Sequence, residues 1–352
     1  VILEGLAKLK IPEGVFYNPR MTFCRDMDIL LMKATGEKDL RYLDGLSACG
    51  VRGIRVALEL GWDVTLNDRD PIAFSTIQEN CALNKVKCMI RNEDINALML
   101  RDFYDWVDID PFGSPVEYLD KAGRSALRYL SVTATDTAPL CGTYTFPCLR
   151  KYDAIPLKTD YYLENGLRIL IGKIGRELAK HEKGMDILLA WTKEHYFRVH
   201  ISIQKKVKKA NETFNNLGFI FHCFNCGYRT CISLMDEEWP ERCICGSKLR
   251  RSGPVWTGKL EDESIVSDAI KLADQEGEKE YKKLLLLILQ ELDVPFHYDI
   301  HYLGKLAGKS VPKISQIIQG LSDMGFHASR TRFSGTSIKT DGQIKDVLSL
   351  IR

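Results

Sequence analysis

Tyr104-Asp105-Trp106-Val107-Asp108-Ile109-Asp110-Pro111-Phe112-Gly113-Ser114-Pro115 opens as an apolar run and closes on an acid, a proline, an aromatic ring and a glycine. It reads as a buried strand that meets a functional loop. In a doubly wound sheet, ligands gather at the carboxyl ends of the strands, so Asp110-Pro111-Phe112 presents a carboxylate, main-chain carbonyls and a ring face to one substrate. These groups suit the exocyclic amine of a nucleobase. Asp110 accepts one amine proton and the carbonyl of Asp110 or Pro111 the other, since proline ties up no acceptor and fixes its own φ. Phe112 then stacks on the ring. Taken alone, Asp-Pro is more often a plain strand end and turn, so the surrounding sequence has to decide.

On both sides of this stretch, short apolar runs alternate with amphipathic ones. Arg41 to Leu46 reads as a first strand, followed by the turn Ser47-Ala48-Cys49-Gly50-Val51-Arg52-Gly53 and a helix through Leu60. Asp63 to Asp68 is a second strand, and Pro71 to Asn84 a helix with proline at an early position. Lys87 to Asn92, Tyr104 to Asp110 and Tyr129 to Asp136 are strands three, four and five, with a helix at Val116 to Ala126. This rhythm predicts an α/β fold, a doubly wound, mostly parallel Rossmann-like sheet with helices on both faces. Two apolar runs between Met185 and Ile203, around Lys193-Glu194-His195, predict an antiparallel pair that closes the sheet.

The turn from Asp44 to Gly50 lets backbone approach a ligand closely. It is not Gly-x-Gly-x-x-Gly, which speaks against a dinucleotide, because room for a pyrophosphate at the helix start is lacking. Asp68, roughly twenty residues on, is placed for ribose hydroxyls. Asp94 follows the third strand and suits an adenine amine. Each acid alone is more often a helix cap or turn residue. Asp44, Asp68, Asp94 and Asp110 at four matching strand ends, with no phosphate loop, fit a nucleoside carrying a cationic sulfonium, S-adenosylmethionine.

At 352 residues and 45% hydrophobic content the chain can bury a large core in two or three domains. No stretch approaches the roughly eighteen apolar residues of a membrane span, and Val1-Ile2-Leu3-Glu4-Gly5 does not read as a secretory signal, so a cytoplasmic location is expected. The 11 scattered cysteines favour reduced thiols with a metal site over a disulfide framework. A net charge of +2 leaves any nucleic-acid surface to local clustering.

Cys223-Phe224-Asn225-Cys226-Gly227 and Cys243-Ile244-Cys245-Gly246 form two knuckle-like pairs in a segment otherwise short of regular structure. Four thiolates there suit a structural, tetrahedral zinc. The second pair is one residue tighter than is common, which leaves Cys231 or His222 as an alternative ligand. Helical patterns at Asp160 to His181, Leu260 to Glu280 and Glu280 to Leu292 lead to Tyr302 to Ala307, Pro312 to Leu321 and the basic strand Phe326 to Phe333, a winged-helix-like unit. Lys305, Lys309, Lys313, Arg330, Arg332 and Lys339, against Asp323 alone, predict a positive face able to hold RNA backbone by shape. Lys205-Lys206-Val207-Lys208-Lys209 is either a solvated face or a further phosphate contact.

In order and spacing, Phe16-Tyr17-Asn18-Pro19 with Arg25-Asp26, Asp44 through Gly53, Asn67-Asp68, Asp108 through Pro115 and Thr135 through Gly142 resemble the tRNA guanine-26 N2-dimethyltransferases, most like an archaeal member. The likeness continues through Asp186-Ile187-Leu188, His195 through Val199 and His327 through Thr331. It implies transfer of one or two methyl groups from S-adenosylmethionine to the N2 amine of a tRNA guanine. It also implies roles: Arg25 for the methionine carboxylate, Asp44 for its amino end, Ser47 in the same turn, Asp68 for the ribose and Asp94 for the adenine. Asp110 and Pro111 would be catalytic, with Phe16 and Phe112 holding a base that must leave its stack to react. Cys24 stands where the family usually carries asparagine, and no role is placed on it. The division implied is an N-terminal arm and lid at 1–40, a methyltransferase domain at 41–215 and a smaller α+β, tRNA-binding domain at 216–352. The expected partner is tRNA, with no membrane and no obligate protein partner. Competing readings are an amino-methyltransferase of another base and an inactive tRNA-binding scaffold; intact acids at every strand end speak against the second.

Overall fold

The computed structural model describes residues 1–277 and 279–351. Seven strands form the central sheet: β1 Arg41–Asp44, β2 Asp63–Asn67, β3 Met89–Arg91, β4 Tyr104–Ile109, β5 Ala126–Ala134, β6 Lys183–Lys193 and β7 Tyr196–Lys205. Their order is β3-β2-β1-β4-β5-β7-β6. The first five are parallel, and β7 lies antiparallel between β5 and β6. The order reverses between β1 and β4, which opens a crevice at their carboxyl ends.

Side-chain alternation sends neighbours to opposite faces. Leu43, Val107 and Ile109 join one core cluster, which also takes in Leu119 and the helix Tyr162–Ala179. Tyr42, Val64, Leu66 and Trp106 join the other. Because β4 is covered on both faces, five of its six residues are buried, the continuous apolar run that a parallel strand needs. The helices that position the crevice are α1 Thr22–Ala34, α2 Val51–Leu60, α3 Pro71–Asn84, α4 Ile95–Arg101 and α5 Val116–Ser125. Gly53 lets α2 lie directly on the sheet: a Cβ there would meet Leu66 Cδ2 at 2.4 Å and the Asp44 Cβ at 3.2 Å.

Residues 1–40, read as an arm and lid, are largely structured. They form a hairpin (Ile2–Glu4 with Ala7–Leu9), a short 3₁₀ turn (Pro19–Met21) and α1, ten of whose residues are buried. The Asn-Pro turn starts this helical segment, with the Asn18 side chain accepting from Arg20 N–H and proline at the first position.

The C-terminal half adds a sheet of Leu217–His222, Arg229–Ser233 and Arg250–Trp256 and the helices Glu263–Glu276 and Lys279–Gln290. A last sheet of Tyr298–Asp299, Ala328–Thr331 and Ser334–Thr340 carries the helices Ile300–Ala307, Ile314–Asp323 and Ile344–Ser349, the winged-helix-like unit. Core packing runs across residue 216, since Leu217, Ile220, Val255 and Trp256 belong to the cluster that holds β4 and β5.

The side chains of two of the six cations expected on a positive face are buried. Arg332 pairs with Glu291 at 2.8 Å and Glu261 at 2.6 Å, and Lys339 with Glu291 at 2.8 Å and Glu164 at 3.1 Å. Both turn inward, toward acids far away in sequence. Lys305, Lys309, Lys313 and Arg330 remain exposed. In the earlier lysine run, Lys205, Lys206 and Lys208 are exposed, whereas Lys209 pairs with Asp186 at 2.7 Å.

Candidate active site

A cleft of about 740 Å³ opens at the carboxyl ends of β1 to β4. Phe16 and Arg25 border it from the N-terminal segment, Asp68 and Asp94 from the strand ends, Asp110 to Phe112 from the loop after β4, and Glu194 and His195 from the β6–β7 turn.

Asp68 is part-buried and accepts Ala48 N–H at 2.8 Å and Asp70 N–H at 2.9 Å, so it fixes the turn after β1 against the end of β2. Each carboxylate oxygen keeps a lone pair for a ligand hydroxyl. Asp94 caps α4, accepting Asn96 N–H at 2.8 Å and Ala97 N–H at 3.2 Å, and is exposed. Asp68 is therefore a turn anchor and Asp94 a helix cap, and both are cleft walls as well. Arg25 is buried and held bidentately by Glu4, with Nε and Nη2 each 2.6 Å from a carboxylate oxygen, while Nη1 has no partner among the described residues. Burial opposes the charge on Glu4, but Arg25, Tyr17 and Arg55 outweigh it and hold its carboxyl down to about 2.

Asp44 and Ser47 do not line the cleft; they lie beneath its floor. Asp44 accepts Gly53 N–H at 2.9 Å, while Ser47 donates to the Asp44 carbonyl at 2.8 Å and accepts Asn67 N–H at 3.0 Å. Burial, then the Asp108 charge, push the Asp44 carboxyl up to about 8.

Asp110 ends a buried ion network that the sequence did not reveal. Arg52 of α2 pairs with it and with Asp28 of α1. Arg198 of β7 pairs with Asp28 at 3.0 Å and with Asp108 at 2.6 Å, and donates to Thr133 at 2.9 Å. His200 lies 2.8 Å from Asp28 through Nε2 and 2.6 Å from the Ser131 hydroxyl through Nδ1. Burial would raise the Asp110 carboxyl, but Arg52 and Arg198 hold it below the usual range. It is thus an ionised acceptor, with a quarter of its side chain still exposed. The available signal was a charged residue inside an otherwise apolar pattern: Asp28 in α1, and Arg198 and His200 alternating inward on β7.

Pro111 is buried, and its neighbour Phe112 is 74% exposed, so that ring is free to meet a ligand. Phe16 and Phe112 touch edge to face, with centroids 4.2 Å apart. That contact leaves no slot between the rings, so a base stacks on an open face or parts them. Gly113 takes φ +78°, which favours glycine, and a Cβ there would meet nothing within 4 Å. Its N–H donates to the Thr135 hydroxyl at 2.7 Å and its carbonyl accepts Thr135 N–H at 2.9 Å, which pins the loop to the end of β5.

Away from the cleft, the sulfurs of Cys223, Cys226, Cys243 and Cys245 all lie within 4.8 Å of one another. The pairs Cys223–Cys245 and Cys226–Cys243 are 3.6 and 3.5 Å apart, close to the roughly 3.8 Å edge of a tetrahedron with zinc–sulfur bonds of about 2.3 Å. The tight second pair is accommodated, and neither Cys231 nor His222 belongs to the cluster. The donor set fits zinc. Gly227 of the first knuckle packs on the winged-helix-like unit, where a Cβ would meet Ile344 Cδ1 at 2.6 Å.

The model of the N2,N2-dimethylguanosine tRNA methyltransferases matches residues 3–352. A tRNA (guanine(26)-N(2))-dimethyltransferase of Archaeoglobus fulgidus is 42% identical over 349 residues, covering 99% of this chain and 97% of that protein. One from Thermococcus kodakarensis is 39% identical, covering 100% and 98%. Among solved structures, Trm1 from Pyrococcus horikoshii, a complex with S-adenosyl-L-methionine, superposes with a TM-score of 0.93 at 39% identity, covering 100% of this chain and 99% of its own. With the fold and residues 3–352 matched, the chain belongs to the family of N2,N2-dimethylguanosine tRNA methyltransferases.

Proposed function

We propose that the cleft carries out the family's reaction, methylation of the N2 amine of guanine 26 in tRNA, with Asp110 as the residue on which it turns. The observation that carries the reading is the ionised, part-exposed Asp110 carboxylate beside the Pro111 carbonyl and two exposed rings. Bound S-adenosylmethionine supplies an electrophilic sulfonium methyl group.

The guanine amine is a weak nucleophile because its lone pair is delocalised into the ring, so alignment is the main task. Asp110 accepts one amine N–H and the Pro111 carbonyl the other, which fixes the direction of the lone pair; effective molarities from such positioning reach about 10⁵ M or more. The carboxylate also stabilises positive charge as it grows on nitrogen. Because its arginine neighbours keep its proton affinity low, Asp110 relays the departing proton to water. After a first transfer the amine retains one N–H for Asp110, and the open space at Gly113 leaves room for the new methyl group. Arg25, through its unpartnered Nη1, holds the cofactor carboxylate, Asp68 its ribose and Asp94 its adenine. Asp44 and Ser47 act from beneath by fixing the turn these groups approach. Phe16 and Phe112 hold the flipped base.

The exposed Lys305, Lys309, Lys313 and Arg330 supply a reduced positive face for tRNA backbone within residues 216–352, and zinc at the four cysteines keeps that region folded. No helix among the described residues is long and apolar enough to cross a membrane. The cytoplasm, with tRNA as the sole required partner, fits thiol-rich cysteine usage. Incubation of unmodified tRNA with labelled S-adenosylmethionine, followed by nucleoside analysis, is expected to place label in N2-methylated guanosine at position 26. Label in another nucleoside, or none, would refute the reading.

A further inference from the structure

Beyond the cleft, the chain leaving β5 builds a second feature. The helix Thr145–Tyr152 buries Cys148 and Tyr152 and turns Phe146, Leu149 and Arg150 outward. These three share one face by the i, i+3, i+4 rule. Phe146 is 72% exposed, Leu149 42%, and Tyr144, just before the helix, 57%. Single exposed apolar side chains need no explanation, but three within six residues form a patch.

The patch is tied to the catalytic loop. Tyr152 OH donates to Asp136 at 2.5 Å and accepts from the Ser114 hydroxyl at 3.1 Å. Ser114 follows Gly113, and Asp136 follows Thr135, the residue that clamps Gly113 and lines the cleft. The helix therefore stands in fixed relation to Asp110-Pro111-Phe112. Its charge balance is cationic: Asp136 is taken by Lys151 at 3.3 Å and Asp153 by Lys173 at 2.6 Å. Arg150 and the exposed Lys158 have no ion pair among the described residues.

We propose that Tyr144, Phe146 and Arg150 form a stacking ledge for an unpaired nucleotide of the substrate RNA next to the extruded guanine. The proposal rests on tRNA guanine being the substrate of the cleft. Extruding a base leaves its neighbours unstacked, and aromatic faces beside cations are what single-stranded bases bind, with little regard to sequence. The hydrogen-bonded tie to the catalytic loop and the cations without an ion pair among the described residues favour RNA over an apolar partner.

The test compares the full chain with Tyr144→Ala/Phe146→Ala, Phe146→Trp and Arg150→Ala in steady-state methylation of a tRNA transcript. Calorimetry of S-adenosylmethionine binding and thermal melting run alongside. The double aromatic variant is expected to raise the KM for tRNA roughly tenfold or more, with cofactor affinity and melting temperature unchanged. Phe146→Trp should keep wild-type KM. Arg150→Ala should flatten the plot of log affinity against log salt by about 0.7 to 0.9, one phosphate contact, a slope the aromatic variant leaves alone. An unchanged KM in the double variant would overturn the ledge, as would sedimentation showing that wild type is a dimer which the double variant dissociates. A wild-type chain that methylates no guanine would instead refute the activity of the cleft.

Discussion

Two clusters of buried charge brace this molecule, and one is closed while the other is open. In the closed cluster, Glu164 of the helix Tyr162–Ala179 is fully buried. It accepts from Arg168 at 3.0 Å, from the His297 ring at 2.9 Å and from Phe296 and His297 N–H at 3.0 and 3.1 Å, and pairs with Lys339 at 3.1 Å. Glu291 receives Lys339 from a strand of the last sheet and Arg332 from the turn that precedes it. In the open cluster, Asp28 and Asp108 are equally enclosed by Arg52, Arg198, His200 and Tyr42, yet Asp110 at its end faces the cleft. Both clusters bear the cost of burying charge, which pairing only offsets. The closed one converts that cost into docking of the C-terminal unit. The open one fixes a carboxylate as ionised while leaving it hydrogen-bonding capacity for a substrate.

The sharpest way to break this contrast is to remove one partner of the closed cluster. Glu164→Ala leaves the His297 ring without its acceptor, Arg168 with main-chain carbonyls alone and Lys339 with Glu291 alone, and is expected to cost about 3–5 kcal/mol. Urea unfolding with limited proteolysis should show early release of residues beyond about 290 as the C-terminal unit detaches. A loss below about 1 kcal/mol would mean that apolar contacts alone dock it.

Acid should open both clusters together. Burial opposes the charge on Asp108, Asp110 and Glu164, but their cationic neighbours hold all three below the ordinary 3.8 and 4.5 of Asp and Glu. Their stabilisation is complete above those values and is lost as pH falls through the lower native ones. Asp44, raised to about 8, has the opposite sign and weakens the fold as pH climbs from 3.8 toward 8. The informative limb is therefore below 3.8, where urea midpoints should drop steeply. A flat limb there would contradict the ionised networks.

A smaller effect separates the cofactor wall from the catalytic end. Asp68→Ala removes an acceptor from the cleft and an anchor of Ala48. It should weaken S-adenosylmethionine binding roughly ten- to a hundredfold, the range of a hydrogen bond to a charged group. Unchanged affinity by calorimetry would take Asp68 out of the ribose site.

Strands β1, β2, β4 and β5 are legible in the sequence to within about three residues because burial on both faces leaves apolar runs between turn residues, whereas the edge strand β3, with none of its residues buried, is legible from its place in the alternation. Asp68, Asp94, Asp110 and Phe112 come to one cleft because strand ends in such a sheet converge, while Phe16 reaches it from the N-terminal segment. The four cysteines also converge despite their tight second spacing, because loops adapt to a tetrahedron more readily than strands would. What escaped is long-range pairing. Arg25, Asp26 and Asp28 interrupt the apolar face of α1 and disguise it as an arm, yet they are matched by Glu4, Arg55 and Arg198. Lys339 and Arg332 look like surface charge until Glu164, Glu261 and Glu291 close over them. Arg52 opens α2 just after a small-residue turn whose obvious role is close packing, and only the fold brings it to Asp110.

The most direct test is single-turnover methyl transfer by Asp110→Asn, measured beside its affinity for S-adenosylmethionine. Asparagine keeps the size of the side chain and loses the charge that Arg52 and Arg198 enforce. The expected result is a rate lower by roughly a hundredfold or more, with cofactor affinity within a few-fold of wild type. A wild-type rate, or a rate that falls only in step with cofactor affinity, would contradict Asp110 as the group that aligns the guanine amine.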